Sequence, residues 1–141
     1  MNWFAEMALW RLLQPRVTHR LPGRLRLTVP LLRHLPDEWL ELADVLEQTL
    51  AAPVGIERVR GDRHTGSLLI EYAPDKLLEA EILDYLRDLL ELLRRHRHQL
   101  ENLDRERALR VAEKLTAWLR AQTRTRPTID PTARIPDELW T

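Results

Sequence analysis

Between Arg24 and Val29 the side chains alternate without exception. Leu25, Leu27 and Val29 fall on one side, Arg24, Arg26 and Thr28 on the other. Successive residues of a strand point to opposite faces, so this run predicts a half-buried strand with an apolar inner face and a cationic outer one. The residues before it, Arg16 to Leu21, also read as strand. The expectation is one first strand, Arg16 to Val29, kinked at Pro22-Gly23. A proline cannot donate to a ladder, so the kink should lie at an edge or a bulge.

Asp37 to Ala51 predicts a helix. Trp39, Leu42, Ala43, Leu46 and Leu50 form one apolar stripe at helical spacing, and Asp37 and Glu38 complement the positive end of the dipole. Gly55 to Arg60 predicts a second strand, either bulged or short, because Ile56 and Val59 do not keep period two. Gly61 to Gly66 predicts a hairpin turn, and Ser67 to Ala73 a third strand with Leu68, Ile70 and Tyr72 on one face.

From Asp75 to Arg126 there is neither glycine nor proline. Leu78, Ile82, Leu86, Leu89, Leu93, Leu100 and Leu103 keep an apolar seam. Ala108, Val111, Leu115, Trp118 and Leu119 continue it out of phase. As one helix the stretch would reach about 70 Å, so it either projects or breaks. The place for a break is Arg94-Arg95-His96-Arg97-His98-Gln99. A break makes a helical hairpin folded on the domain; continuity makes a long helix paired with a second subunit.

Both ends need a reading of their own. Asn2 to Leu13 predicts a short helix, apolar nearly all round, that packs on the domain or on a second subunit. Insertion of Trp3, Phe4 and Trp10 into a membrane surface is the alternative. After Thr123 comes an extended tail rich in proline, threonine and arginine. Its Ile129, Ile135, Leu139 and Trp140 either pack back on the domain or form a docking peptide. The chain thus divides into an N-terminal helix over 1–15, a domain over 16–95, a helical extension over 96–123 and a tail over 124–141.

Charge narrows the partners. Lys and Arg number 22 and Asp and Glu 22, a zero balance that argues against a dedicated nucleic-acid binder. The distribution is uneven. Six arginines face a single acid, Glu6, up to Pro36, and seven acids face Arg58 and Arg60 between Asp37 and Asp62. The simpler reading is two neighbouring surfaces that neutralise each other; the other is a basic docking face. With no cysteine, disulfides, thiolate metal sites and a thiol nucleophile are excluded. No apolar run approaches the ~20 residues of a membrane span, the N-terminus lacks signal-peptide features, and a cytoplasmic location is the expectation.

Strand, helix, strand, strand, helix is the α+β split βαβ order of a ferredoxin-like fold, here βαββα with its fourth strand missing or supplied otherwise. In that plan the first strand is central. One edge of Arg24–Val29 would then carry unpaired backbone groups, to be filled by Thr132–Pro136, by the same strand of a second copy or by a partner.

The pattern His19-x-x-Pro22-Gly23-Arg24-x-Arg26, then a helix, then Pro53-Val54-Gly55-Ile56-x-x-Val59, then Thr65-Gly66-Ser67-Leu68-Leu69-Ile70-x-Tyr72 resembles the heavy-metal-associated domain-like family in its cysteine-lacking form. The likeness covers residues 16–95. It implies a ferredoxin-like fold and a loose connection with metal handling or with metal-transporting P-type ATPases. Classical members of the wider family hold copper(I) or zinc with two cysteines in the loop after the first strand. That loop is Pro30-Leu31-Leu32-Arg33-His34-Leu35-Pro36 here, and copper(I) prefers sulfur, so the metallochaperone mechanism does not carry over.

No catalytic constellation stands out. Gly61 and Gly66 bracket a turn without the lysine of a phosphate loop, and Ser67 lacks a nucleophile-elbow context. Among the histidines, His19, His34 and His64 are the candidates for a metal site. His96 and His98 stand two apart and diverge on a helix. Each histidine is more simply a polar surface group. The function expected is a non-enzymatic interaction module without cofactor, a homo-oligomer acting through Arg24 and Arg26 and through Leu100, Leu103, Val111, Leu115, Trp118 and Trp140. A partner would join at the first-strand edge or through the tail. Histidine-based metal binding and a membrane-surface adaptor are the alternatives.

Overall fold

The computed structural model describes residues 16–34, 37, 40–130 and 132–141. The N-terminal helix expected over 1–15 lies outside the described residues. The elements run β1 (Arg16–Leu21), β2 (Arg24–Thr28), a 3-10 turn (Pro30–His34), α1 (Leu40–Leu50), β3 (Ile56–Asp62), β4 (Ser67–Tyr72), α2 (Glu79–Arg95), α3 (Arg97–Glu101), α4 (Arg105–Gln122) and a closing 3-10 turn (Asp137–Trp140).

The four strands form one antiparallel sheet in the order β1-β2-β4-β3, an α+β arrangement compatible with a ferredoxin-like plan. The expectation of a single kinked first strand is corrected here. Pro22-Gly23 reverses the chain, and Arg16–Leu21 turns back to pair with Arg24–Thr28. Proline followed by a residue with φ above zero is the combination a type II turn requires. Gly23 supplies it at φ 77°, and a Cβ there would come within 3.0 Å of the Tyr72 carbonyl oxygen. The edge of β2 expected to be open is therefore filled by the chain's own β1. Thr132–Pro136 takes no part in the sheet.

The sheet buries one face only. Leu25, Leu27, Val59, Leu68, Ile70 and Tyr72 point inward and are buried. Over them lies α2, whose Ile82, Tyr85, Leu86, Leu89 and Leu92 are buried at the spacing of one helical face. Gly55 brings the loop before β3 close to α2. Its φ is 106°, and a Cβ would sit 2.8 Å from Leu77 Cγ.

The long glycine-free stretch breaks. Helix α2 ends at His96 and α3 is a single short turn. Asp104 then caps α4 by accepting from Arg107 N at 2.8 Å. Helix α4 packs along α1, so the hairpin alternative holds, and the seam from Ile82 to Leu103 packs inside the chain while Leu78 stays exposed. The α1–α4 contact is polar at its centre. Thr49 Oγ1 and Thr116 Oγ1 lie 2.6 Å apart, and the Tyr85 hydroxyl donates to the Thr49 carbonyl at 2.8 Å. Burial pushes the Tyr85 phenol far above its ordinary range, so it stays protonated and a donor.

His96 corrects the reading of every histidine as a surface group. It is buried, its Nδ1 donates to the Leu92 carbonyl at 2.9 Å, and its ring stacks on Trp140 at 5.8 Å. The tail packs back: Ile129, Ile135 and Trp140 are buried in the same core as the sheet. An Asx turn shapes it, with the Asp130 carboxylate accepting from Thr132 N at 2.9 Å and from Thr132 Oγ1 at 2.7 Å.

Two outcomes follow from this packing. A chain ended at Arg95 lacks Val111, Leu115, Leu119, Ile129, Ile135 and Trp140, all of them core residues. Each fully buried aliphatic or aromatic side chain contributes roughly 1.5–3 kcal/mol, while a whole domain is stable by only about 5–15 kcal/mol. The truncated chain is expected to lose its cooperative urea transition, followed by circular dichroism; a transition as sharp as that of the full chain would contradict the shared core. The second outcome concerns Asp130, whose carboxyl is held below its ordinary range by the two hydrogen bonds from Thr132. A lowered folded-state pKa adds stability above the unfolded value, about 3.9 for Asp, and that stability disappears as pH falls through the folded value. Asp130→Asn should therefore be less stable than wild type at neutral pH, with the difference closing below about pH 4.

Candidate functional site

The face of the sheet turned away from α2 is set by register. A shift between Val17 and His19 leaves Thr18 as the extra residue of β1. Without it Val17 and His19 would share a face. With it, Val17 pairs with Leu27 on the inner side and His19 pairs with Arg26 on the outer side. Arg20 falls opposite Leu25 on the inner side, where its Nε meets Glu79 Oε1 of α2 at 3.1 Å.

Following the pairings across the sheet gives three outer rows. Leu21, Arg24, Glu71 and Arg58 make the first; His19, Arg26, Leu69 and Arg60 the second; Arg16, Thr28, Ser67 and Asp62 the third. Five arginines and a histidine thus share one open face with two acids, Glu71 and Asp62. Arg60 reaches Glu71 at 4.0 Å. Among the described residues, neither Arg24 nor Arg26 has a side-chain partner. Three acids of the following segment have partners of their own: Asp37 with Arg63 at 2.6 Å, Glu47 with Gly61 N at 2.8 Å, Asp62 with His64 N at 2.9 Å.

His19, Leu21, Arg24, Arg26 and Leu69 line a shallow groove of about 300 Å³ on it. Its floor is apolar and its rim cationic. Among the described residues Leu21 is one of three large apolar side chains left exposed, at 51%, with Val54 and Leu78.

The other residues expected to bind a partner face the chain's own interior. Val111, Leu115 and Trp140 are buried, and Leu100, Leu103 and Trp118 pack against the same core. His19 and His64 are exposed on separate elements, β1 and the β3–β4 turn, and the side chain of His34 lies outside the described residues. Among the described residues no three histidine or acidic side chains converge as a metal site would need. Arg58, Arg60, Leu21 and Leu69 are members of the face that the sequence reading passed over. The Arg58-x-Arg60 spacing repeats that of Arg24-x-Arg26 and was the available signal.

A family model described as heavy metal associated domain 2 matches residues 14–131. The chain belongs to this family. The match runs past the 16–95 expected, taking in α4 and the start of the tail as far as residue 131, in keeping with the single core that these segments share. The chain is a cysteine-free member. No curated protein and no solved structure matches it. Among the described residues no helix is long and apolar enough to cross a membrane.

Because Arg24 and Arg26 are exposed and without partners, the fold does not depend on them. Arg24→Glu with Arg26→Glu is expected to shift the urea midpoint by no more than about 0.5 kcal/mol. Leu25→Ala, at a fully buried position between them, should cost about 2–5 kcal/mol. A collapse of the double arginine variant would assign those residues to stability instead.

Proposed function

We propose that this heavy-metal-associated family member is a non-enzymatic interaction module that serves metal handling by docking another protein, not by carrying metal on sulfur. The observation that carries the reading is the outer sheet face, where Arg24 and Arg26 stand exposed beside an apolar groove with no acid among the described residues paired to them. Two guanidinium groups held on a rigid strand present planar donors to carboxylates, and partner choice by such a face is chiefly electrostatic. No Phe, Tyr or Trp lies in its three rows to stack nucleobases.

The test has two arms. At low salt the chain should be retained by immobilised polyglutamate and not by polylysine, and Arg24→Glu with Arg26→Glu should abolish retention, whereas Arg120→Glu on α4 should not. Equal retention of all three proteins would remove the outer face from consideration. The second arm is equilibrium dialysis against zinc or copper(I). Stoichiometric metal lost on His19→Ala or His64→Ala would replace this reading with metal binding through histidines.

A further inference from the structure

We propose that the partner segment is an extended acidic peptide that joins the sheet as a fifth strand along β1. The inference rests on the outer face being the working surface and adds the partner's conformation and chemistry.

Among the described residues strand β1 has one neighbour, β2, and stands at the end of the sheet. Its other side is a row of backbone donors and acceptors open to pairing. It is also thinly covered: five of its six residues are exposed and only Val17 is half-buried. An added strand would lie about 4.8 Å from β1. Its outer-face side chains would then stand beside His19 and Leu21, within reach of the long Arg24 and Arg26 side chains one strand further in. Carboxylates on its outer face have places at the cationic rim beside His19, Arg24 and Arg26, and the apolar residues between them fall on the inner face beside Val17. Alternate acidic and apolar residues are what such a strand would present.

Charge selects this occupant over a second copy of the chain. Arg16, His19 and Arg20 all lie on β1. Antiparallel pairing of two β1 strands would bring like charges together across the junction, which is destabilising, whereas an acidic strand meets complementary charge.

The probe is an acetylated, amidated peptide alternating Glu and Val over the length of β1, with a Lys and Val peptide as control. Binding to the full chain is followed by fluorescence anisotropy at low and physiological salt, and amide exchange is read residue by residue by NMR. The Glu peptide should bind, weaken with salt, and weaken roughly tenfold or more on Arg24→Glu with Arg26→Glu. Alternate β1 amides, those facing away from β2, should become protected in the complex. Arginine-dependent binding with no added protection at residues 16–21 would overturn the fifth strand while leaving the docking face intact. Binding indifferent to both arginines, or none, would overturn both. A dimer by light scattering without peptide, with β1 amides already protected, would give the edge to a second copy.

Discussion

Leu25, Leu27 and Ile70 lie on adjacent central strands with no surface left in contact with water, and α2 is laid over them. This one-sided burial is the constraint from which the rest of the molecule follows. A strand with an apolar residue at every second position can hide them only by showing its alternate residues on the other side. Covering the inner face therefore exposes Arg24 and Arg26. The same packing that stabilises the domain presents its cations. No separate device is needed to build the face, only a register that is held.

Two features hold that register. The first is the Pro22-Gly23 reversal, which puts β1 beside β2 and completes a four-stranded sheet. The second is the extra residue in β1, which sends His19 outward and Arg20 inward to Glu79. Behind the sheet, the return of α4 onto α1 adds a polar pin, Thr49 against Thr116, inside an otherwise apolar contact. Each hydroxyl also reaches a carbonyl of its own helix, Thr49 that of Val45 at 2.9 Å and Thr116 that of Ala112 at 2.8 Å, so the two polar groups are satisfied where they are buried. The tail completes the same core through Ile129, Ile135 and Trp140.

Within a family described as heavy metal associated, this member has no thiolate to offer a metal. Its arginine face stands where a sheet of this kind is otherwise free. A fold that keeps its frame and loses its sulfur ligands retains a rigid surface, and a rigid surface with fixed guanidinium groups suits recognition.

Strand alternation, helical stripes and turn residues are local, and the sequence alone determined what depends on them: the inner set Leu25, Leu27, Leu68, Ile70 and Tyr72, the hairpin at Gly61–Gly66, the irregular period at Ile56 and Val59, and the absence of sulfur ligands; it marked the place near His96 where a break would fall, but not that the chain breaks there. The family pattern was also legible, because glycine and proline positions reflect backbone needs that few other residues meet. What remained to tertiary structure was every choice between locally equal alternatives. Pro22-Gly23 could bend a strand or reverse it, and pairing across the sheet decided for reversal. Val111, Leu115 and Trp140 could face a partner or the chain itself, since hydrophobic burial is indifferent to whose surface provides the cover. Arg24 and Arg26 could have met the acids that follow them in sequence. The fold instead occupies Asp37, Glu47 and Asp62 with Arg63 and backbone amides, and so leaves the two arginines exposed.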